Sequence, residues 1–121
     1  RDVAPSRGLG DVYKRQEAGA DGIMIHSRKK TADEIIEFCD KFRAKYSDIP
    51  IVVVPTSYNY ITEAELAAHG VNIVIYANQL TRSAFPAMEN TAKEILKNHR
   101  ALEVDSKLMP FKDIITLIDE L

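Results

Sequence analysis

The chain has 121 residues, enough for one modest domain or for part of a larger one. Its 45% hydrophobic and 28% charged content is that of an ordinary globular protein, and a net charge of -2 argues against a basic nucleic-acid-binding face. Cys39 stands alone, which excludes an intrachain disulfide, and no apolar run approaches the roughly 20 residues of a membrane-spanning helix. A cytoplasmic protein with neither nucleic acid nor membrane as partner is the expectation.

Residues 1–16, RDVAPSRGLGDVYKRQ, lack an initiator Met and any apolar periodicity. Their DVYKRQ ending resembles the translated read-through of a sequence truncated at a contig edge. We read 1–16 as a non-native or disordered leader and 17–121 as the domain proper. Gly19 sits where a helix C′ glycine belongs. GIMIH, residues 22–26, reads as a short buried strand. Thr31 and Glu34 then have capping-box spacing, and Ile35, Phe38, Cys39, Phe42 and Tyr46 recur at helical spacing as one buried stripe.

Asp48-Ile49-Pro50 closes that helix, and IVVVP, residues 51–55, is a β-branched run suited to burial on both faces. After the loop TSYNYI, Thr62 and Glu65 repeat the capping-box pattern for a short helix ending at Gly70. VNIVIYAN, residues 71–78, reads as a third strand. A longer helix over 81–99 places Ala84, Met88, Thr91, Ala92, Ile95 and His99 on one face, with Pro86 expected in its first turn or at a break. A final helix over 110–120 carries Phe111, Ile114, Ile115 and Ile118 as its stripe.

EAGADGIMIHS and AAHGVNIVIYAN share one plan: small residue, glycine, small apolar residue, Asp or Asn, strand. Three apolar strands alternating with helices imply parallel pairing through right-handed crossovers, hence an α/β fold. Three strands alone leave apolar edges with unpaired N–H and C=O groups. We therefore read the chain as the C-terminal portion of a (β/α)₈ TIM barrel, an incomplete barrel, in preference to part of an open doubly wound sheet.

In either architecture ligands gather at the C-terminal strand ends. Those ends carry His26, Ser27 and Arg28; Pro55, Thr56 and Ser57; and Ala77, Asn78 and Gln79. An imidazole, hydroxyls, an amide and a guanidinium suit a small anion, aided by helix N-termini. Hydroxyls and amides after a strand also cap the next helix, a role open to Thr31, Thr62 and Thr81, and Arg28-Lys29-Lys30 also fits a solvated turn. His69 precedes a helix-ending glycine, His99 sits on a packing stripe, and Cys39 lies between Phe38 and Phe42 as an inert core thiol. No metal-ligand spacing, Gly-rich phosphate loop or nucleophile elbow is present.

The strings EAGADGIMIHSRK, PIVVVPTSY and GVNIVIYANQLTRSAFPAM, in this order, resemble the C-terminal part of the phosphoenolpyruvate mutase branch of the isocitrate lyase/phosphoenolpyruvate mutase superfamily. The resemblance runs from about Glu17 to Leu121. It implies a barrel whose sixth, seventh and eighth strands end at His26, at Pro55-Thr56 and at Asn78. It also implies a homo-oligomer in which the helix near 81–99 packs on a neighbouring protomer. The implied reaction interconverts phosphoenolpyruvate and phosphonopyruvate with Mg²⁺, the opening step of phosphonate biosynthesis. By carry-over His26 is the catalytic and substrate-binding histidine, Ser27 a second donor, and Thr56 and Asn78 strand-end groups behind them. The metal-binding acids, the substrate-gripping arginine and the gating loop of such enzymes come from earlier strands, so this chain is expected to be inactive by itself. The alternatives are a phosphonopyruvate hydrolase or an isocitrate lyase-like carbon–carbon lyase, and, from another class, a non-catalytic anion-binding or oligomerisation module.

Overall fold

Strands and helices alternate as the apolar runs require. In a computed structural model that describes residues 5–118, α1 (Pro5–Glu17), β1 (Ile23–Ile25), α2 (Asp33–Lys45), β2 (Ile51–Val53), α3 (Glu63–Ala68) and β3 (Ile73–Val74) lead to α4 (Gln79–Asn98), a 3-10 helix (Leu102–Lys107) and α5 (Phe111–Ile114). The chain divides into two compact units, residues 1–77 and 78–121.

In the first unit the strands are parallel in the order β1-β2-β3, with Met24 opposite Val52 and Val52 opposite Ile73. Parallel neighbours need long crossovers, which α2 and α3 supply. From 23 to 27 burial alternates: Ile23, Ile25 and Ser27 are buried, Met24 and His26 exposed. Ile51 and Val53 join the buried set, packed with Ile35, Phe38, Cys39 and Phe42 of α2 and Leu66 of α3. Phe38, Phe42 and Tyr46 stack along α2 with centroids 5.5 and 4.9 Å apart, the contact that i, i+4 spacing provides. Full burial of a side chain such as Phe42 contributes about 1.5–3 kcal/mol.

The opposite sheet face departs from the expected burial on both sides. Met24 is 54% and Ile73 49% exposed, and no other element of this unit covers them. This is the face that a closed barrel turns inward.

The internal echo is a shared helix ending. Gly19 (φ +92) donates to Gln16 O and Ala20 to Arg15 O; Gly70 (φ +89) donates to Ala67 O and Val71 to Leu66 O. Both pairs are Schellman motifs, whose left-handed residue glycine adopts without penalty. At the N-terminal end of the strands Arg43 forms a clamp. Its guanidinium donates to Gly70 O (2.7 and 3.0 Å), Ile49 O (2.7 Å), Tyr46 O (3.1 Å) and Asn72 Oδ1 (2.6 Å), and Asn72 Oδ1 also accepts from Ile51 N.

Several local expectations change. Residues 5–16 of the expected leader run through α1, where Val12 is buried; residues 1–4 lie outside the described residues. The Thr31–Glu34 capping box does not form: α2 begins after Ala32 with no side-chain cap, because Glu34 is engaged elsewhere. The Thr62–Glu65 box does form, in both directions. β3 is paired only at Ile73–Val74, since beyond Ile75 N, bonded to Val53 O, the chain leaves the sheet.

In the second unit α4 begins at Gln79, so Thr81 lies inside the first turn and does not cap it. Pro86 is neither in that turn nor at a break. The helix continues through it, leaving the Arg82 carbonyl without the N–H that residue 86 normally gives. His99 is no packing residue. It is exposed and ends α4 in the left-handed region at φ 52. The 3-10 helix, unforeseen in the sequence, packs back on α4 and buries Val104. α5 stops at Ile114, its apolar stripe is exposed, and the expected extension through 119–120 lies outside the described residues.

Candidate active site

The extended alternation of β1 continues two residues past its last paired position, and this decides where each side chain goes. His26 falls on the open face with Met24, while Ser27, 4% exposed, points to the helix side. Two residues beyond Val52 and Ile73, Val54 and Ile75 continue the open face, so the imidazole stands at the end of an apolar strip. Ser27 Oγ donates to Glu34 Oε2 at 2.9 Å and accepts from Lys29 N at 3.2 Å. Lys29 Nζ lies 3.7 Å from the same carboxylate oxygen. The Ser27 hydroxyl proton is thus committed within the chain.

Thr56 follows Pro55 at the head of β2, half-buried, and its N–H turns back to Val54 O at 2.8 Å in a tight three-residue turn. Because β1 and β2 are neighbours, His26, Ser27 and Thr56 share one end of the sheet. Asn78 belongs to the second unit. There it is the N-cap residue of α4, and its backbone N–H donates to Gln79 Oε1 at 3.2 Å.

Two tyrosines lace this rim together. Tyr60 Oη accepts from Ala32 N at 2.9 Å, giving the start of α2 the partner its own residues do not supply. Tyr76 Oη donates to Glu63 Oε1 at 2.7 Å, and that carboxylate holds the phenol above its ordinary range. Beneath the rim, burial pushes the Tyr58 phenol up to about 12 and the Cys39 thiol up to about 11, so both stay protonated at neutral pH. Tyr58 Oη has no hydrogen-bond partner among the described residues. Arg28, Lys29 and Lys30 are all exposed. His69 Nδ1 lies 2.8 Å from Asp40 Oδ1, a contact on the outer helices.

A polar group at the C-terminal end of one strand, above an uncovered apolar sheet face, is what remains visible when only part of a barrel is present. The family model described as "Phosphoenolpyruvate phosphomutase" matches residues 10–96. The chain belongs to the phosphoenolpyruvate phosphomutase family. A phosphonopyruvate hydrolase of Variovorax sp. (strain Pal2) is 45% identical over 109 residues, covering 89% of this chain and 36% of that protein. The crystal structure of a phosphoenolpyruvate phosphomutase from Streptomyces platensis subsp. rosaceus superposes with a TM-score of 0.80 at 31% identity, covering 93% of this chain and 38% of the other. A phosphonopyruvate hydrolase in complex with oxalate and Mg²⁺ superposes with a TM-score of 0.76 at 39% identity, covering 94% and 40%.

The chain therefore spans little more than a third of its phosphomutase-family relatives. Its three strands are a partial barrel of the kind these enzymes close. Among the described residues no group of three or more His, Cys, Asp or Glu side chains stands close enough to hold a metal ion. No described helix is long and apolar enough to cross a membrane.

Sequence reasoning missed the hydrogen bonds that Ser27 and Ala32 make beyond the end of β1. The sequence pairs Glu34 with Thr31, because a capping box is a local pattern. Strand parity, continued through Ser27, was the signal for its true partner seven residues away. Tyr60 capping the start of α2 from 28 residues downstream has no local signal at all.

Proposed function

We propose that the whole protein makes and breaks the carbon–phosphorus bond of phosphonopyruvate, as a phosphoenolpyruvate mutase, with His26 donating a hydrogen bond to the transferring phosphoryl group. The observation that carries this reading is the position of His26: exposed, at the C-terminal end of β1, on the sheet face that the helices of its own unit leave open. Donors aimed where charge spreads in a loose phosphoryl-transfer transition state lower the barrier without moving. In the mutase direction the phosphoryl group leaves the enolate oxygen and bonds to the enolate carbon, with no net gain or loss of protons. Mg²⁺, present in the oxalate complex of the related hydrolase, would be held in the whole protein by residues other than those described, which form no such group. Thr56 and Asn78 are assigned to the support of the site. Exchange of α4 between protomers belongs to the same reading, favoured by the exposure of Phe85 and Met88 along that helix.

A second reading is phosphonopyruvate hydrolysis, favoured by the 45% identity to the Variovorax hydrolase. There a water oxygen bonds to phosphorus, the carbon–phosphorus bond breaks, and the enolate carbon takes up a proton to give pyruvate and phosphate. Phosphorus-31 NMR of the whole protein supplied with phosphonopyruvate and Mg²⁺ separates the two. Growth of a phosphoenolpyruvate signal is the expected result; growth of inorganic phosphate alone selects the hydrolase, and an unchanged spectrum sinks both.

A further inference from the structure

We propose that Ser27 and Glu34 act as a positioning pair for His26, setting the direction of its imidazole without touching substrate. The proposal rests on the reading of His26 as the phosphoryl-facing donor. His26 is flanked by Ile25, locked in the sheet and fully buried, and by Ser27, whose neighbours are all turn and loop residues until α2 begins. A strand end followed by a loop is free to twist unless its first buried residue is fixed. Ser27 is fixed from both sides. Its hydroxyl donates to Glu34 and accepts from the Lys29 backbone, which closes the turn over 27–29.

Glu34 is a suitable anchor because it stands in the first turn of α2, whose stripe of Ile35, Phe38 and Phe42 is embedded in the core. Its carboxylate is largely shielded, 18% exposed, and is balanced by the Lys29 ammonium. The start of the same helix is held from a third direction by Tyr60. The β1 end is thereby tied to a rigid helix on the buried side, and consecutive residues of an extended chain face opposite ways. Fixing Ser27 inward fixes His26 outward.

The test uses the whole protein, with the His26 ring signals assigned by His26→Asn. Ser27→Cys and Glu34→Met keep side-chain size while removing the strong donor and the acceptor. Both are expected to shift the His26 ring resonances and to lower kcat on phosphonopyruvate about tenfold, with KM changed less than about twofold, the pattern of a displaced catalytic group. Ser27→Thr and Glu34→Gln, which retain a hydroxyl and an amide acceptor, are expected to restore both readouts. Unmoved His26 resonances with unchanged kcat overturn the proposal, as does a loss that Thr and Gln fail to restore. Failure of both isosteric variants to fold also overturns it, since the pair is then a stability element. If wild type shows no turnover, the assigned activity fails, and the NMR shifts still decide the pairing.

Discussion

On the helix side of the sheet Ile25, Ile51 and Val53 are wholly buried against α2 and α3; on the other side Met24 and Ile73, from the same strands, are about half exposed. Nothing in residue type separates these sets, since isoleucine stands on both. What separates them is the period of two and the single layer of helices, so one face carries the stability of this unit and the other is left open, with His26 at its end. His26 and Ser27, adjacent in sequence, fall on opposite sides of that division. The residue type that signals anion binding is therefore a weaker guide than the parity of the strand that delivers it.

Phe42→Ala attacks the covered face and has the largest expected effect. Phe42 is fully buried and stacked between Phe38 and Tyr46, and its truncation should cost about 3–5 kcal/mol. Urea unfolding of the whole protein checks this, and a loss below about 1 kcal/mol would mean the aromatic ladder is not part of the core. His26→Ala attacks the open face. It should lower turnover on phosphonopyruvate by ~10²-fold or more, yet change unfolding free energy by no more than about 0.5 kcal/mol because the side chain is exposed. A comparable loss of both would erase the distinction between the two faces.

Thr62→Ala lies away from both faces and sets the scale for a purely local change. Loss of its cap on α3 should cost about 1 kcal/mol at pH 7. The Thr62 backbone N–H, and next its hydroxyl, hold the Glu65 carboxyl below the usual carboxylate range. A depressed folded-state pKa contributes stability above the unfolded value of about 4.3, and that stability is lost as pH falls through the lower folded value. The gap between wild type and variant should therefore narrow below about pH 4. A gap that stays constant on acidification would show that the carboxylate takes no part in the cap.

Much of the architecture was legible in the sequence because its signals are local. Capping residues at Thr62, C′ glycines at 19 and 70, and continuous apolar runs each report the chain within a few residues. The strand-end rule likewise placed His26, Ser27 and Thr56 at one end of the sheet. What could not be read was set by distance or by competition. Glu34 has two candidate hydroxyl partners, and the buried one wins over the exposed Thr31. The shortness of β3 depends on where its chain leaves Val53, and Pro86 is accommodated by a helix long enough to continue past one missing bond. The exposure of the inner face was illegible for a simpler reason: apolarity records what a surface is meant to meet, and the staves that meet it are not in this chain.

The Arg43 clamp has an evolutionary corollary. A methyl group placed on Gly70 would sit 2.6 Å from Arg43 Nε, on a backbone already at φ +89. No ordinary side chain can therefore arise at position 70 while the guanidinium occupies its cradle, and a shortened residue at 43 strands the carbonyls it gathers. Across descendants of this protein the two positions, 27 apart along the chain, should be inherited as a unit or replaced in tandem. The coupling is a matter of packing at the N-terminal end of the strands, and it holds whatever reaction takes place at their other end.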